Sequence, residues 1–442
     1  MLNDGSILLS HLQKYGLDLV PHSTKIRAVT AKRTFHPGSE IARWLPLAVV
    51  PLPDHAQKLC HQCLETAKSR CSRCKKAWFC GTACFQNAWS EWHKVTCGAD
   101  VKLDAEGLML LKVTIALKGQ KGAVGEAFLS LPTHINELSA QVIARFRQIA
   151  AQVHGLIPEV DVEILLSYLC RFRCNNFSVV DAQLFPVAEG TYPFGSLLNH
   201  ACRPNAVALY DGNTQVIRVL EKIEVGEEVS VAYMDVIHGK LARQAALRET
   251  YAFNCQCTRC LGDDWVDSLL EIDGRKTGIE VEEDLTKCEV NSPSIASTFA
   301  STVITTYLNS RSDRLKANEL PQDILILPYS LVDAVSHANA RFQKCITYGH
   351  WEGAGHLGRF ILAVYLLAYP RNHPMTGLHA FSLGKCLWNC SNLAATQEAI
   401  KFLSLATTVL ELNLRGNRTG EKVVNEAKAL LHEAQKECRR MS

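Results

Sequence analysis

The spacing of apolar and polar residues divides the chain into two parts near Val266. From there onward apolar residues recur every three or four positions, which predicts helices over residues 360–369, 378–388 and 399–414. Before that point, apolar runs at residues 207–210 and 216–220 flank Asp211-Gly212-Asn213, a sequence that favours a tight turn. The pattern therefore predicts a β-containing first part and an all-helical second part.

Length and composition are those of an ordinary globular chain. Its 442 residues suffice for two to four domains, and 47% of them are hydrophobic. The N-terminal region holds no apolar stretch typical of a secretory signal, and no run of about 18 apolar residues predicts a membrane span. The formal charge of +3 is too small to indicate a general electrostatic nucleic-acid binder. A soluble protein in a reducing compartment is expected.

Cysteine is the most informative residue type, because ten of the 18 fall in two clusters. In a reducing compartment such clusters are more typical of metal binding than of disulfides. The first cluster holds eight possible ligands: Cys60, Cys63, Cys71, Cys74, Cys80, Cys84, His93 and Cys97. Pairs separated by two residues can bend around one ion, and the later pairs are spaced one helical turn apart. Eight ligands predict two closed, four-coordinate zinc sites with a structural role.

The second cluster, Cys255, Cys257 and Cys260, has only three thiols within reach of one another. A structural zinc ion requires a fourth ligand. The residue types alone leave Cys202, Cys170 and Cys174 open as the fourth ligand.

Several runs carry a resemblance to a known family. The ligand order of the first cluster resembles the MYND zinc finger. Residues 192–260 resemble the SET domain of protein-lysine methyltransferases through the runs Ser-Leu-Leu-Asn-His-Ala-Cys-Arg-Pro-Asn at 196–205, Gly-Glu-Glu-Val-Ser-Val-Ala-Tyr at 226–233 and Tyr-Ala-Phe-Asn-Cys-Gln-Cys-Thr-Arg-Cys at 251–260. Residues 25–38 and 369–374 are similar to further family segments. The chain thus resembles the SET and MYND domain family.

The resemblance assigns the zinc ligands. One ion would be held by Cys60, Cys63, Cys80 and Cys84, and the second by Cys71, Cys74, His93 and Cys97. In the family, the cysteine at the position of Cys202 completes the post-SET zinc site with Cys255, Cys257 and Cys260. The remaining thiols are expected to be ordinary and mostly buried: Cys170, Cys174, Cys288, Cys345, Cys386, Cys390 and Cys438.

The implied architecture is an α+β fold, a split SET β-fold with an inserted two-zinc MYND module and a C-terminal all-α domain of helical hairpins, similar to TPR repeats. Strands are expected at Ile26–Ala31, 41–50 and 228–233, and a helical insert at 101–173. The predicted domains are the N-terminal part of the SET domain (1–54), the MYND finger (55–99), the helical insert (100–173), the catalytic core (174–250), the post-SET zinc region (251–265) and the TPR-like domain (266–442).

The implied activity is S-adenosylmethionine-dependent methylation of lysine on histone or non-histone proteins. This reaction needs a neutral amine in line with the sulfonium methyl group, and water excluded. By resemblance, Tyr233 lies beside the transferred methyl group, and Tyr251, Phe177 and Phe253 wall the lysine channel. Taken alone, Phe177 is equally well explained as a core or sheet residue.

Cofactor contacts carry over from the family position by position. The predicted set is Lys25, Ile26, Arg27, His134, Asn175, Asn199, His200, Tyr233, Tyr251 and Phe253. Asn199 and His200 would bind the adenosine portion. Lys25 and Arg27 would meet the methionine carboxylate, and Asn175 its amine. His134 corresponds to a position on a helix of the insert.

Two departures from the family pattern leave other functions open. Ile26 and Ala28 replace a Gly-x-Gly turn that lets the backbone approach the cofactor, and Ala201 replaces a usual serine. One alternative is a catalytically inactive adaptor that binds proline-rich peptides through the MYND module. Another is a nucleic-acid binder that uses the basic run at 68–76, although solvated surface is the simpler explanation of that run. A monomer with a cytoplasmic and nuclear location, and no membrane partner, is expected.

Overall fold

Short strands from both sides of the zinc module pair with one another. The computed structural model describes residues 6–99, 101, 103–119, 122–262, 264–270, 294–310, 312, 314–327 and 329–441. Its strands are β1 (Leu17–His22), β2 (Ile26–Ala31), β3 (Glu40–Trp44), β4 (Ala48–Pro51), β5 (Ser69–Arg70), β6 (Trp78–Phe79), β7 (Asn176–Val180), β8 (Pro186–Thr191), β9 (Asn199–His200), β10 (Ala206–Asp211), β11 (Thr214–Val219) and β12 (Ser230–Val231).

The sheet pairing reveals one domain interrupted by insertions. β1 and β2 form an antiparallel hairpin, and β3 joins the β10–β11 hairpin as the third strand of a sheet. β4 lies antiparallel to β8, which also pairs with β7. β9 and β12 are parallel, and β5–β6 is a small hairpin within the zinc module. Because β3 and β4 precede the zinc module while their partners follow it, the module is an insertion.

Helices build the zinc module and the insert. The module contains Thr82–Ala88, a π-helical segment Trp89–His93 and Lys94–Thr96, and the insert contains Ala105–Gly119, Ala123–Ser130, Ala140–His154 and Val162–Asn175. Two insert helices begin at the side-chain caps typical of helix starts: Ser139 accepts from the Val142 N–H, and Asp161 from the Glu163 N–H. Short 3-10 segments lie at Pro53–His55, Ile135–Glu137, Gly195–Leu197, Ala317–Glu319 and Gln322–Leu325.

The described elements of the C-terminal part are all helices. Its helices, with the linker helices before them, are Lys240–Tyr251, Thr258–Leu261, Trp265–Leu270, Ile295–Asn309, Leu331–Thr347, Trp351–Ala368, Pro374–Trp388, Leu393–Leu414 and Gly420–Met441. Neighbouring helices pack in sequence around a continuous apolar core. Asn392 caps one of them by accepting from the Ala395 N–H, and Pro374 occupies a first-turn position that needs no N–H.

Most predicted elements are present, with shifted ends. Ile26–Ala31 is a strand as predicted, but the predicted strand at 41–50 is two strands, β3 and β4. The strand expected at 228–233 is limited to Ser230–Val231. The C-terminal helices extend beyond the predicted ranges, and the first insert helix begins at Ala105 rather than at 101. In the described part of the chain, no helix combines the length and apolar character needed to cross a membrane.

A buried lysine joins the zinc module to strand β4. Lys112, on the helix Ala105–Gly119, donates from Nζ to the Val49 carbonyl at 2.6 Å and to the His61 carbonyl at 2.9 Å. Its ammonium also lies 4.5 Å from the centre of the Trp92 ring, a cation–π distance. Burial lowers the pKa of Lys112 to about 7. One side chain thus satisfies backbone groups of both units.

Candidate active site and metal centres

Three groups of side chains are arranged as zinc sites. They are Cys60, Cys63, Cys80 and Cys84; Cys71, Cys74, His93 and Cys97; and Cys202, Cys255, Cys257 and Cys260, and within each group the ligand atoms lie within 4.8 Å of one another. The sulfurs of Cys63 and Cys80 are 3.6 Å apart, and those of Cys202 and Cys260 are 3.5 Å apart. A tetrahedron with Zn–S bonds of about 2.3 Å has edges of about 3.8 Å. The donor sets and spacing therefore fit three zinc ions.

The helix of the zinc module differs from the sequence prediction at one ligand pair. Cys80 and Cys84 were expected one turn apart on a helix, but Gly81 is fully extended and the helix begins only at Thr82. His93 ends the π-helical segment, and the Cys97 N–H still donates to its carbonyl, so this pair does share a turn. The His93 Nδ1 lies 3.3 Å from the Thr96 hydroxyl, which leaves Nε2 for the metal.

The thiols outside the zinc sites are less buried than predicted. Cys170 and Cys386 are buried, whereas Cys174, Cys345, Cys390 and Cys438 are half-buried. The expectation of mostly buried thiols is therefore wrong for the described residues. Cys174, Cys345 and Cys438 lie on helix faces that are only partly covered, and Cys390 lies in the turn after the helix Pro374–Trp388. Cys288 lies outside the described residues.

All ten side chains predicted to bind the cofactor line a single cavity of about 320 Å³. The turn between β1 and β2 supplies Lys25, the first residues of β2 are Ile26 and Arg27, and β9 supplies Asn199 and His200. Asn175 and His134 come from the insert, Tyr233 follows β12, and Tyr251 and Phe253 lead into the third zinc site. Residues far apart in the sequence are thus collected around one space.

A second space, which we call the interdomain groove, adjoins this cavity. It has a volume of about 540 Å³ and is lined by residues of β7 and β10, by residues 232–236 and by Tyr369, His373 and Met375 of the C-terminal part. Tyr233, Tyr251, Asn175 and Ser196 line both spaces. Phe177 lines the groove and not the first cavity, and its ring packs edge-on against Tyr192 at 6.0 Å. The two spaces therefore meet at Tyr233 and Tyr251.

An aromatic cluster forms the junction. The rings of Tyr233 and Tyr251 have centroids 4.9 Å apart, and Phe253 stands perpendicular to Tyr233 at 6.4 Å. The Tyr233 hydroxyl donates to the Leu198 carbonyl at 2.6 Å, and the Tyr251 hydroxyl donates to the Tyr233 carbonyl at 3.1 Å. Burial raises the pKa of both phenols, so both stay protonated at neutral pH. Both hydroxyls thus act as hydrogen-bond donors within the cluster.

A carboxylate that the sequence prediction did not assign organises the polar wall. Glu228 accepts from the Lys25 ammonium at 2.6 Å and from the Asn199 side-chain amide at 2.8 Å. The same Asn199 amide donates to the Arg27 carbonyl at 2.7 Å. Glu228 stands in the run at 226–233 that carries the family resemblance, and that position was the signal that could have found it. It fixes both Lys25 and Asn199.

Arg27 supplies a buried donor at the same wall. Its Nη2 reaches the Ser196 carbonyl at 3.5 Å, and its Nε is buried with no hydrogen-bond partner among the residues that the structure describes. Burial lowers the pKa of the guanidinium. A buried, unpaired donor is costly unless a ligand satisfies it. A guanidinium in this state fits the carboxylate of an amino-acid cofactor.

Ile26 and Ala28, which replace the two glycines of the family turn, differ in backbone conformation. Ile26 has a φ of +67°, the left-handed region that a β-branched residue rarely adopts, and its side chain is 78% exposed. Ala28 lies within β2 with no positive φ and is 2% exposed. The strain of the substituted turn is therefore confined to Ile26.

The His200 ring is engaged within the protein. Its Nδ1 accepts from the Tyr233 N–H at 3.0 Å, so Nε2 carries the proton and lies 3.3 Å from the Cys202 sulfur. Burial lowers the pKa of His200 to about 4, which agrees with a neutral ring. A hydrogen bond from this ring to adenosine would have to replace one of these contacts. The ring links Tyr233 to the third zinc site, and the cofactor contact of His200 stays a prediction.

Two insert residues border the cavity in unexpected ways. His134 lies on the connection between two helices and not on a helix, because the helix Ala123–Ser130 ends before Pro132, and prolines disfavour helical geometry in the preceding residue. Asn175 donates its side-chain N–H groups to the Arg171 and Pro132 carbonyls at 2.8 and 3.2 Å. This leaves its side-chain oxygen as the acceptor for a ligand.

The basic side chains of residues 68–76 lie on the surface of the zinc module. Lys68, Arg70, Arg73, Lys75 and Lys76 are all exposed. Solvated charges of this kind require no ligand to explain them.

The comparisons with known proteins agree with this geometry. The SET domain model matches residues 26–234. The histone-lysine N-methyltransferase ASHR1 of Arabidopsis thaliana is 27% identical, with 94% of each chain covered. Human histone-lysine N-methyltransferase SMYD3 is 28% identical over 81% of this chain and 84% of its own length, and mouse N-lysine methyltransferase SMYD2 is 24% identical over 87% and 92%. The similarity thus spans the SET segment and most of the helical C-terminal part.

Proposed function

We propose that this chain belongs to the SET and MYND domain family and transfers a methyl group from S-adenosylmethionine to lysine side chains of proteins. The observation that carries this proposal is the junction of two spaces at Tyr233 and Tyr251. A transfer reaction between two large ligands needs entry from two sides and a narrow meeting point. The relatives named as lysine methyltransferases support the same conclusion.

The first cavity suits the cofactor. Arg27 offers a buried, unpaired Nε–H for a carboxylate, and the Lys25 ammonium, paired with Glu228, lines the same cavity. The Asn175 side-chain oxygen can accept from an ammonium group, and Asn199 lies at the adenosine end by family resemblance. When bound, S-adenosylmethionine supplies an electrophilic methyl group on a sulfonium centre. The protein's part is to hold that group in line with the amine.

The aromatic cluster prepares the lysine. Rings of Tyr233 and Tyr251 tolerate the incoming ammonium through cation–π attraction and keep water away. Desolvation lowers the pKa of an amine, so the neutral form that carries the nucleophilic lone pair is favoured as the lysine enters. The Tyr233 hydroxyl already donates to Leu198, so its oxygen serves as an acceptor that orients an N–H of the amine. The proton leaves to solvent through the groove.

The zinc ions have separate structural roles in this proposal. The two ions of the module, residues 55–99, hold a unit that carries few apolar residues of its own. The third ion fixes the segment from Tyr251 to Cys260 against Tyr233. The remaining domain limits that we propose are 1–54, 100–173 and 174–250 for the SET parts, 251–265 for the post-SET region and 266–442 for the TPR-like part.

Ile26 favours one competing function. Its strained turn would suit a protein that has lost cofactor binding and acts as an adaptor for proline-rich peptides through the module. We consider the enzyme the better proposal, because Arg27, Asn175, Asn199 and Glu228 retain a coherent polar wall. We further propose that the protein is a monomer and that it acts on protein substrates in the cytoplasm and the nucleus.

Calorimetric titration of the zinc-loaded protein with S-adenosylmethionine separates the two functions. The enzyme proposal expects saturable heat at one site per chain, reduced by Arg27→Ala. An adaptor gives no cofactor heat while it still binds proline-rich peptide. No cofactor heat in protein with three zinc ions per chain would reject the methyltransferase.

A further inference from the structure

The interdomain groove has mostly apolar walls. Phe177 and Val180 of β7, Val207 of β10, Met234 and Met375 all line it. Such walls favour apolar side chains on either side of an inserted lysine, because burying them removes apolar surface from water. The groove therefore suits apolar side chains over most of its length.

One charged side chain interrupts this surface. Among the described residues that line the groove, Asp235 alone carries a formal charge. It is exposed, and its Oδ1 accepts from the Tyr369 hydroxyl at 2.7 Å and from the Ile237 N–H at 3.1 Å. Neither contact uses Oδ2. The carboxylate is thus held in a fixed orientation with one oxygen available.

The neighbouring imidazole does not neutralise this charge. His373 stacks on Tyr369 with ring centroids 4.5 Å apart and planes 11° from parallel. Burial lowers the pKa of His373 to about 4, so the ring is neutral at physiological pH. Tyr369 is therefore hydrogen-bonded to Asp235 and stacked on a neutral imidazole. Neither ring offsets the negative charge of the carboxylate.

From this arrangement we infer that the protein prefers substrates with a second lysine or arginine close to the target lysine, and that Asp235 binds that second cation. The inference rests on the proposed methyltransferase function. Asp235 lines the groove but not the cofactor cavity, whereas Tyr233 and Tyr251 line both. Its carboxylate thus lies on the peptide side of the junction and binds a flanking residue rather than the amine that receives the methyl group.

A positional peptide library tests this inference. Peptides carry one central lysine in an apolar context, and each flanking position is varied among alanine, lysine, arginine and glutamate, with methyl transfer measured as kcat/KM. The wild type is compared with Asp235→Asn, Asp235→Lys and the control Asp54→Asn. Asp54 is also exposed but does not line the groove. Thermal unfolding and cofactor titration verify that each variant is folded and binds the cofactor.

We expect one flanking position at which a basic residue raises kcat/KM roughly two- to fivefold over alanine in the wild type, the range of an exposed ion pair. Asp235→Asn abolishes this preference, Asp235→Lys shifts it to glutamate, and Asp54→Asn keeps it. Transfer without any basic preference, or an equal loss on all peptides in Asp235→Asn, overturns the inference and leaves the function intact. Absence of transfer by the wild type to every peptide, together with absent cofactor heat, rejects the proposed function itself.

Discussion

Replacing Ile26 by glycine should stabilise the protein. A non-glycine residue in the left-handed region costs about 1–2 kcal/mol, and β-branching places Ile26 at the unfavourable end of that range. Its side chain is 78% exposed, so removing it forfeits little buried surface. Glycine adds flexibility to the unfolded chain, which offsets about 0.5–1 kcal/mol of the gain. The net increase in the free energy of unfolding is expected to be about 0.5–1 kcal/mol.

Ala28→Gly is the matched control. Ala28 lies in an extended strand and is 2% exposed. Glycine there relieves no strain, adds about 0.5–1 kcal/mol of unfolded-state entropy and removes a buried methyl group worth about 0.8 kcal/mol. The same substitution two residues away should therefore destabilise the protein by about 1–2 kcal/mol. Ile26→Asn should fall between Ile26→Gly and the wild type, since asparagine tolerates positive φ.

Scanning calorimetry of zinc-loaded protein measures these changes as shifts of the unfolding midpoint. We expect a rise of roughly 1–3 °C for Ile26→Gly and a fall of similar or larger size for Ala28→Gly. Because Ile26 lines the cofactor cavity, Ile26→Gly should also bind S-adenosylmethionine more tightly in a calorimetric titration. A lower midpoint for Ile26→Gly, or a higher one for Ala28→Gly, would refute the assignment of strain to Ile26.

Further predictions concern the metals and the buried lysine. Cys257→Ser should leave about two zinc ions per chain by metal analysis and abolish methyl transfer, because it releases the segment that carries Tyr251. Cys71→Ala should damage stability or substrate choice more than the transfer step, and a folded variant with unchanged substrate choice would contradict this. Since burial lowers the pKa of Lys112 from 10.5 to about 7, the unfolded state binds more protons between these pH values, and stability should rise with pH across that window. Lys112→Met should flatten this dependence in denaturant titrations, and an unchanged slope would show that Lys112 does not titrate there.

Much of the fold and of the candidate site could be predicted from local patterns in the sequence. Ligand spacing predicted two zinc sites in the first cluster, and apolar periodicity predicted the C-terminal helices, because both depend on residues close together in the chain. The division of the ligands between the sites, and Cys202 as the fourth ligand of the third site, came from the family resemblance. The ends of the elements were harder to predict. The predicted strand at 41–50 is divided into β3 and β4, which are joined by residues 45–47 and pair with different strands. The local pattern predicts the run at 216–220 but not which strand pairs with which.

Contacts between distant segments explain what was missed. Glu228 joins Lys25 to Asn199 across about two hundred residues of sequence, and Asp235 meets Tyr369 of another domain. No spacing rule links such residues. The hydrogen bond from the Tyr233 N–H to the His200 ring was likewise hidden, because it forms only when β9 lies beside β12.

Methyl transfer by Tyr233→Phe tests the central claim most directly. The wild type, Tyr233→Phe and the control Tyr348→Phe, an exposed tyrosine of the C-terminal part, are incubated with labelled S-adenosylmethionine and a protein array. Loss of the hydroxyl that orients the amine should lower labelling at least about tenfold without weakening cofactor binding, whereas Tyr348→Phe should match the wild type. Equal labelling by all three proteins would remove Tyr233 from the mechanism and contradict the account.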